Sequence, residues 1–272
     1  MKTPGRKKLR PREITTLGVI ALLLVSVRAF AFEPFSIPSG SMLPTLEIGD
    51  YVIANKFTYG LRIPFTTAPP RKLLAATPRR GDVVIFIDPA DPARDIVKRV
   101  IATAGDFVRV TNHAIALRRA GDEELKPVPR TTVGTVRFCD YRGDDPKWPA
   151  GEWPWIEREK TRHEETLDGT RYNTLQSPTA DAGTGGTDFE GTVPEGHVFV
   201  MGDNRDNSFD GRLWRDAHGN PAPWLDIRRI KGQAILVGFS RGASVANGCQ
   251  DVSLLENVTK WVRWQRVLRL ID

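Results

Sequence analysis

Apolar positions divide the chain into three regimes. The first is continuous. Residues 14–27 carry no charge, and counting on to 32 gives 19 residues, which as a helix would span about 28 Å, close to the hydrocarbon thickness of a bilayer. Arg28 lies near the far end, where its side chain can snorkel to the interface, with Phe30, Phe32 and Phe35 flanking it. The second regime is a set of short β-branched or aromatic runs at 51–57, 82–87, 95–102, 107–111, 197–201 and 233–239, bounded by turn-forming clusters such as Arg80-Gly81-Asp82 and Gly105-Asp106. These predict a mainly β body with few helices. The third regime, 112–194, is charged and rich in Gly, Pro and Thr, with a flexible loop predicted at 180–187. It reads as an insertion between strands of one β core. Near the end, Trp261, Trp264, Leu268 and Ile271 recur at helix-like spacing beside Arg263, Arg266 and Arg269. Such a segment suits either the lipid headgroup level or a cover for the core.

Charge changes the picture of the first regime. The net charge is +6, with 39 basic and 33 acidic residues, but six of the basic residues and no acid fall within 1–12. That leaves 33 against 33 for the remainder. A basic footprint for nucleic acid on the folded body is therefore excluded as a bulk property. The head instead acts as a topological signal, placing 1–13 in the cytoplasm and everything after 32 outside. A cleaved secretory signal fits the same segment, because Ala29-Phe30-Ala31 matches the small-x-small pattern. Both readings export the body. Export permits a disulfide between Cys139 and Cys249, although two unpaired thiols fit the sequence equally. Neither cysteine has metal-ligand spacing, and His113, His163, His197 and His218 are scattered, each expected at the surface or in a loop. A content of 40% hydrophobic residues excludes general disorder.

Three clusters carry candidate chemistry. Ile37-Pro38-Ser39-Gly40-Ser41-Met42-Leu43-Pro44 follows the apolar segment. In an extended chain Ser39 and Ser41 share a face, and two hydroxyls beside a glycine could supply a nucleophile and an oxyanion donor. A Ser/Gly/Pro linker is the plainer reading. In Asp95-Ile96-Val97-Lys98-Arg99-Val100-Ile101, alternation sets Lys98 between Ile96 and Val100. Desolvation there would lower the amine pKa and make a general base, which arginine cannot become. A sheet-edge lysine reaching solvent is the alternative. The third cluster, Met201-Gly202-Asp203-Asn204-Arg205-Asp206-Asn207-Ser208-Phe209-Asp210-Gly211-Arg212, suggests a buried turn held by carboxylate–guanidinium pairs. Its Asp-x-Ser-x-Asp-Gly opening imitates a calcium loop, but Ala217 stands where the bidentate glutamate belongs. Without a placed histidine, a GxSxG or an HExxH, the simplest complete mechanism is a Ser–Lys pair.

These clusters, with Arg28 to Gly60, Arg80-Gly81-Asp82-Val83-Val84, Val97-Lys98-Arg99 and Gly105-Asp106, resemble bacterial type I signal peptidase (leader peptidase) in order and spacing. The resemblance implies Ser41 as nucleophile and Lys98 as its base, also activating the deacylating water. It implies an oxyanion hole from the Ser41 amide and the Ser39 hydroxyl, and Ser208 orienting the lysine amine. Ile37, Pro38 and Val97 would line a shallow pocket for a small residue. Arg99, Asp203, Arg205, Asp210 and Arg212 would form an ion-pair scaffold. Gly211 departs from the family, where serine is common, and is expected to add backbone freedom. The implied fold is an antiparallel β core, 33–111 with 195–272, carrying the 112–194 segment as a variable β-rich domain. The implied activity is release of Ala-x-Ala-type signal peptides from exported preproteins, with no metal or organic cofactor. The resemblance also favours a retained single-pass anchor at 14–32 in the inner (plasma) membrane, the catalytic body facing the periplasm. The partners are then preproteins and the lipid bilayer, not nucleic acid.

Two other functions fit the residues alone. One is an anchored β scaffold in which all three clusters are structural; the other is a soluble hydrolase released by cleavage after Ala31. A processing peptidase dedicated to particular precursors shares the same active-site motifs as the general enzyme.

Overall fold

In a computed structural model of the chain, residues 10, 12–13, 15–16, 18–20, 31–62, 72–73, 76–141, 155–177, 188–242, 249 and 262–271 are described. The strands in chain order are β1 (Phe32–Ser36), β2 (Asp50–Asn55), β3 (Leu61–Arg62), β4 (Lys72–Leu73), β5 (Val83–Ile87), β6 (Asp95–Thr103), β7 (Phe107–Thr111), β8 (Ala114–Arg118), β9 (Lys126–Pro127), β10 (Arg130–Tyr141), β11 (Trp155–Leu167), β12 (Thr170–Gln176), β13 (Phe189–Thr192), β14 (His197–Met201), β15 (Trp224–Asp226), β16 (Ile230–Ser240) and β17 (Arg269–Leu270). The main sheet is antiparallel in the order β1-β2-β16-β5-β6-β14-β15, and β17 also pairs with β16. Its central strand explains the order. Val-Val-Ile-Phe-Ile of β5 is buried throughout, with Val83 and Ile85 in one apolar cluster and Val84 and Phe86 in another. A strand covered on both faces needs an unbroken apolar run, whereas the half-exposed β7 alternates Val108 and Val110 with Arg109.

The described part of the charged stretch 112–194 supplies strands, in keeping with a β-rich insertion. β8, β9 and β13 join β7 in a four-stranded sheet, and β10, β11 and β12 form a three-stranded one. The β7–β8 connection has Asn112 and His113 both at positive φ, as a two-residue hairpin twisted to suit its strands requires. Leu167, Tyr172 and Val193 pack in the same cluster as Ile101, Phe199 and Met201, so this stretch and the main sheet share a core. The expected loop at 180–187 lies outside the described residues.

The chain ends bear on two of the expectations. Of the anchor proposed for 14–32, residues 15–16 and 18–20 are helical while 14, 17 and 21–30 lie outside the described residues; no described helix is long and apolar enough to cross a membrane. Its far end belongs to the body. Phe32 is paired with Asn55 in β1, and the Ala31 carbonyl accepts the Lys56 N–H at 2.9 Å. The bond after Ala31 is thus held at the sheet edge. At the other end, the helix-like spacing does not make a regular helix. Trp264–Arg266 is one 3-10 turn leading into β17, and Trp261 lies outside the described residues. One buried and one partly exposed carboxylate decide this path. Arg266 and Arg263 turn inward onto Asp50, which is fully buried, and onto Glu47, leaving Trp264, Leu268 and Leu270 exposed.

Cys139 on β10 and Cys249 form a disulfide across 110 residues of sequence. Closing a loop of that size restricts the unfolded chain strongly. Reduction is therefore expected to cost about 2–5 kcal/mol of stability, read as a lower thermal midpoint in dithiothreitol; an unchanged midpoint would show that the bond stabilises nothing.

Candidate active site

Ser39, Ser41 and Lys98 come together with Ile37, Pro38 and Val97 around one cleft of about 320 Å³, with Phe209 also in its lining. The backbone differs from the extended run expected at Ser39 to Ser41. Ser39 is extended, but Gly40–Met42 turns into a 3-10 helix. Ser41 is thereby presented from a turn rather than from a pleat. Its N–H is among the first amides of that turn, which have no acceptor inside it. The Lys98 Nζ lies 2.8 Å from Ser41 Oγ. β6 delivers the lysine, paired through Val84 to the fully buried β5, so its amine is buried as well. Burial pushes Lys98 down to about 8; Asp210 and Asp203 oppose the shift, and Arg212 adds to it.

Neighbouring carboxylates are each claimed by a cation. Arg99 Nε and Nη2 donate to the two oxygens of Asp203, both at 2.9 Å, and its Nη1 donates to the Gly81 carbonyl at 2.7 Å. The Arg99 guanidinium stacks 4.0 Å over the Tyr172 ring, and Thr45 Oγ1 donates to Asp203 at 2.5 Å. Arg212 makes a second bidentate pair with Asp210 at 2.8 Å. Burial works to raise the Asp210 pKa, but Arg212 and the Gly202 N–H outweigh it and hold the group below its ordinary value. Arg205 reaches away from the cleft to Glu165 and the His113 carbonyl. His113 is buried rather than at the surface, and its Nδ1 faces Arg212 at 3.1 Å. Desolvation, helped by Arg212, lowers it to about 4.

Two further expectations change. Ser208 Oγ is buried and has no partner in good hydrogen-bond geometry, so no hydrogen bond joins it to Lys98, although it stands near enough to Asp210 to help depress that pKa. The hydroxyl packs against Gly202, where a Cβ would sit 2.3 Å from Ser208 Oγ and 2.5 Å from the Ser41 carbonyl. Gly211 is explained by space, not backbone freedom: a Cβ there would lie 2.7 Å from the Pro223 carbonyl and 2.8 Å from the Phe199 ring.

Sequence reasoning missed the clamp on the Ser41 turn. Asn204 donates from Nδ2 to the Gly40 carbonyl at 2.9 Å and from its backbone N–H to the Ser41 carbonyl at 3.1 Å. Lys160, on β11, donates to Asn204 Oδ1 and to Asp206 Oδ1, each at 2.7 Å. Asn204 sits in the polar cluster and could have been singled out. Nothing in the run of alternating charges around Lys160 marks it as buried.

Comparison with known proteins fits this geometry. The family model described as signal peptidase, peptidase S26, matches residues 11–239. The chain belongs to that family. A signal peptidase I of Pseudomonas fluorescens is 34% identical over 200 residues, covering 72% of this chain and 60% of the relative. That of Pseudomonas aeruginosa is 34% identical, covering 81% and 69%, and that of Buchnera aphidicola is 31% identical, covering 84% and 75%. The matched region thus spans about three fifths of the first relative's length.

The Lys160 clamp can be tested without any substrate. Lys160→Met removes the cation from a buried Asp206 carboxylate, leaving it the Ser177 N–H at 2.9 Å, and is expected to destabilise the fold by about 3–5 kcal/mol. Adding Asp206→Leu should recover part of that loss in denaturant melts, because the pair is coupled. Strictly additive losses would mean that the two side chains act independently.

Proposed function

We propose that the chain is a serine endopeptidase that removes amino-terminal signal peptides from exported preproteins after small residues of the Ala-x-Ala type. The observation carrying this reading is the 2.8 Å approach of a buried Lys98 amine, shifted to about 8, to the Ser41 hydroxyl. That separation is within reach for proton transfer. In its neutral form the amine lone pair takes the Ser41 proton as Oγ attacks the scissile carbonyl. The resulting ammonium then protonates the leaving amine, and Lys98 repeats the role with the deacylating water. The Ser41 N–H and the Ser39 hydroxyl serve as oxyanion donors. Ile37, Pro38 and Val97, which line the cleft beside the dyad, set the preference for a small side chain. An extended peptide bound by backbone hydrogen bonds completes the recognition.

We read the apolar residues before Ala31 as a membrane anchor, with the basic head cytoplasmic and the body on the outer face. Residues 33–111 and 195–272 then make up the catalytic body, and 112–194 is an insertion that supports it. Ser208 acts through Asp210 and Gly202 packing rather than by touching the amine.

Ser41→Ala should abolish cleavage of a signal-bearing preprotein, and Lys98→Ala should lower it by about 10²–10⁴-fold with the fold retained. Lys98→Arg should be equally inactive, because arginine stays protonated. Because the lysine is cationic below its pKa, kcat/KM of the wild type is expected to rise about tenfold per pH unit up to about 8 and to level off above it. Normal processing by either lysine variant, or a flat profile between pH 6 and 9, would sink the Ser–Lys mechanism. An acyl-trapping peptide analogue separates an enzyme from an anchored scaffold, since only the former labels at Ser41.

A further inference from the structure

Behind the catalytic turn lies a second cavity, of about 240 Å³, distinct from the cleft. Its wall brings together arginines from three parts of the chain: Arg99 from β6, Arg162 and Arg171 from β11 and β12, and Arg266 and Arg269 from the carboxyl end. Glu47 is the one acid among the described residues of that lining, and Arg263 and Arg266 already hold it. The charges can be balanced pair by pair. Arg99 is matched by Asp203, and Arg263 and Arg266 together are matched by Asp50 and Glu47. Among the described residues Arg162, Arg171 and Arg269 are left without an ion-pair partner, an excess of three positive charges within that set. Arg162 Nε is moreover buried with no hydrogen-bond partner, and a buried donor left unpaired in this way costs stability.

We infer that this cavity is a binding site for a phosphate-class anion. Guanidinium forks match phosphate oxygens in pairs, and an excess of three suits a dianion better than a single carboxylate. The space is several times that of one water, about 30 Å³. The ligand would complete the unpaired Arg162 Nε while resting against Arg99 and Tyr172, the outer side of the same pair that holds Asp203. A free phosphate and the headgroup of an anionic lipid share this chemistry. The inference does not depend on the peptidase reading.

Calorimetric titration of the full chain in neutral detergent with inorganic phosphate, at ionic strength held constant with chloride, tests it. Saturable binding is expected, weakened at least tenfold in Arg162→Gln/Arg171→Gln while the phosphate-free melting midpoint stays put. Should the double variant melt early, Arg171→Gln alone carries the comparison, since that residue is exposed. Reconstitution in phosphatidylcholine bilayers with and without phosphatidylglycerol then identifies the source. Loss of the phosphate signal only when phosphatidylglycerol is present makes the lipid headgroup the occupant; an equal signal in both makes it the free anion. No saturable phosphate binding, or equal binding by the arginine variants, overturns the site.

Discussion

A desolvated amine keeps a lowered pKa only where no unclaimed negative charge can reach it, and the structure around Lys98 is organised by that constraint. An unpaired carboxylate at about 4 Å is worth about 4 kcal/mol at an effective dielectric constant near 20, or about 3 pH units. That would erase the whole shift from 10.5 to about 8. Asp210 and Asp203, the carboxylates that act most strongly on the amine, are tied to Arg212 and Arg99, and Asp206 in the same stretch is tied to Lys160. The ion pairs are not needed chiefly for stability, since buried pairs often contribute little net. Their role is to keep carboxylates near the site from recharging the lysine.

The same constraint explains why remote parts of the chain converge here. Lys160 and Glu165 come from β11 in the long hairpin of the 112–194 stretch, Tyr172 from β12 beside it, and Arg263 and Arg266 from the carboxyl end. Each neutralises or covers a group that the main sheet leaves buried. Asp50 opens β2 at a position that alternation points inward, and Glu47 lies three residues before it. Because Arg266 also donates to the Thr45 carbonyl at 3.1 Å, the tail fixes the chain that runs straight on from the Ser41 turn. Thr45 in turn holds Asp203, so the tail and the Arg99 pair meet at one residue.

How much of this was legible follows from range. The six strands read from apolar runs are all present, because a strand's burial is written in its own alternation; β5 and β7 show the two forms that alternation takes. Ser41 and Lys98 were singled out through their motifs, and the structure sets the two side chains 2.8 Å apart. The backbone at Ser41 was not. Period-two reasoning presumes a strand, and the turn there is set by Asn204 reaching across from residues more than 160 positions away. Lys160 and Arg266 were illegible for the same reason. An arginine or lysine among other charges looks solvated until a long-range partner is known, and the helix-like spacing near the end misled because two of its companions were claimed by Asp50 and Glu47.

Neutrality by count therefore differs from neutrality in space. The chain beyond residue 12 balances at 33 basic and 33 acidic residues, which argues against a broad polyanion-binding face but says nothing about where the signs fall. The buried centre takes carboxylates and cations in matched pairs, because mismatch is costly there. The surface has no such requirement. Exposed acids such as Asp122, Glu123 and Glu124 on one connection can offset Arg162, Arg171 and Arg269 around one cavity without touching them. A single concave site can consequently be strongly positive on a body whose sum is zero.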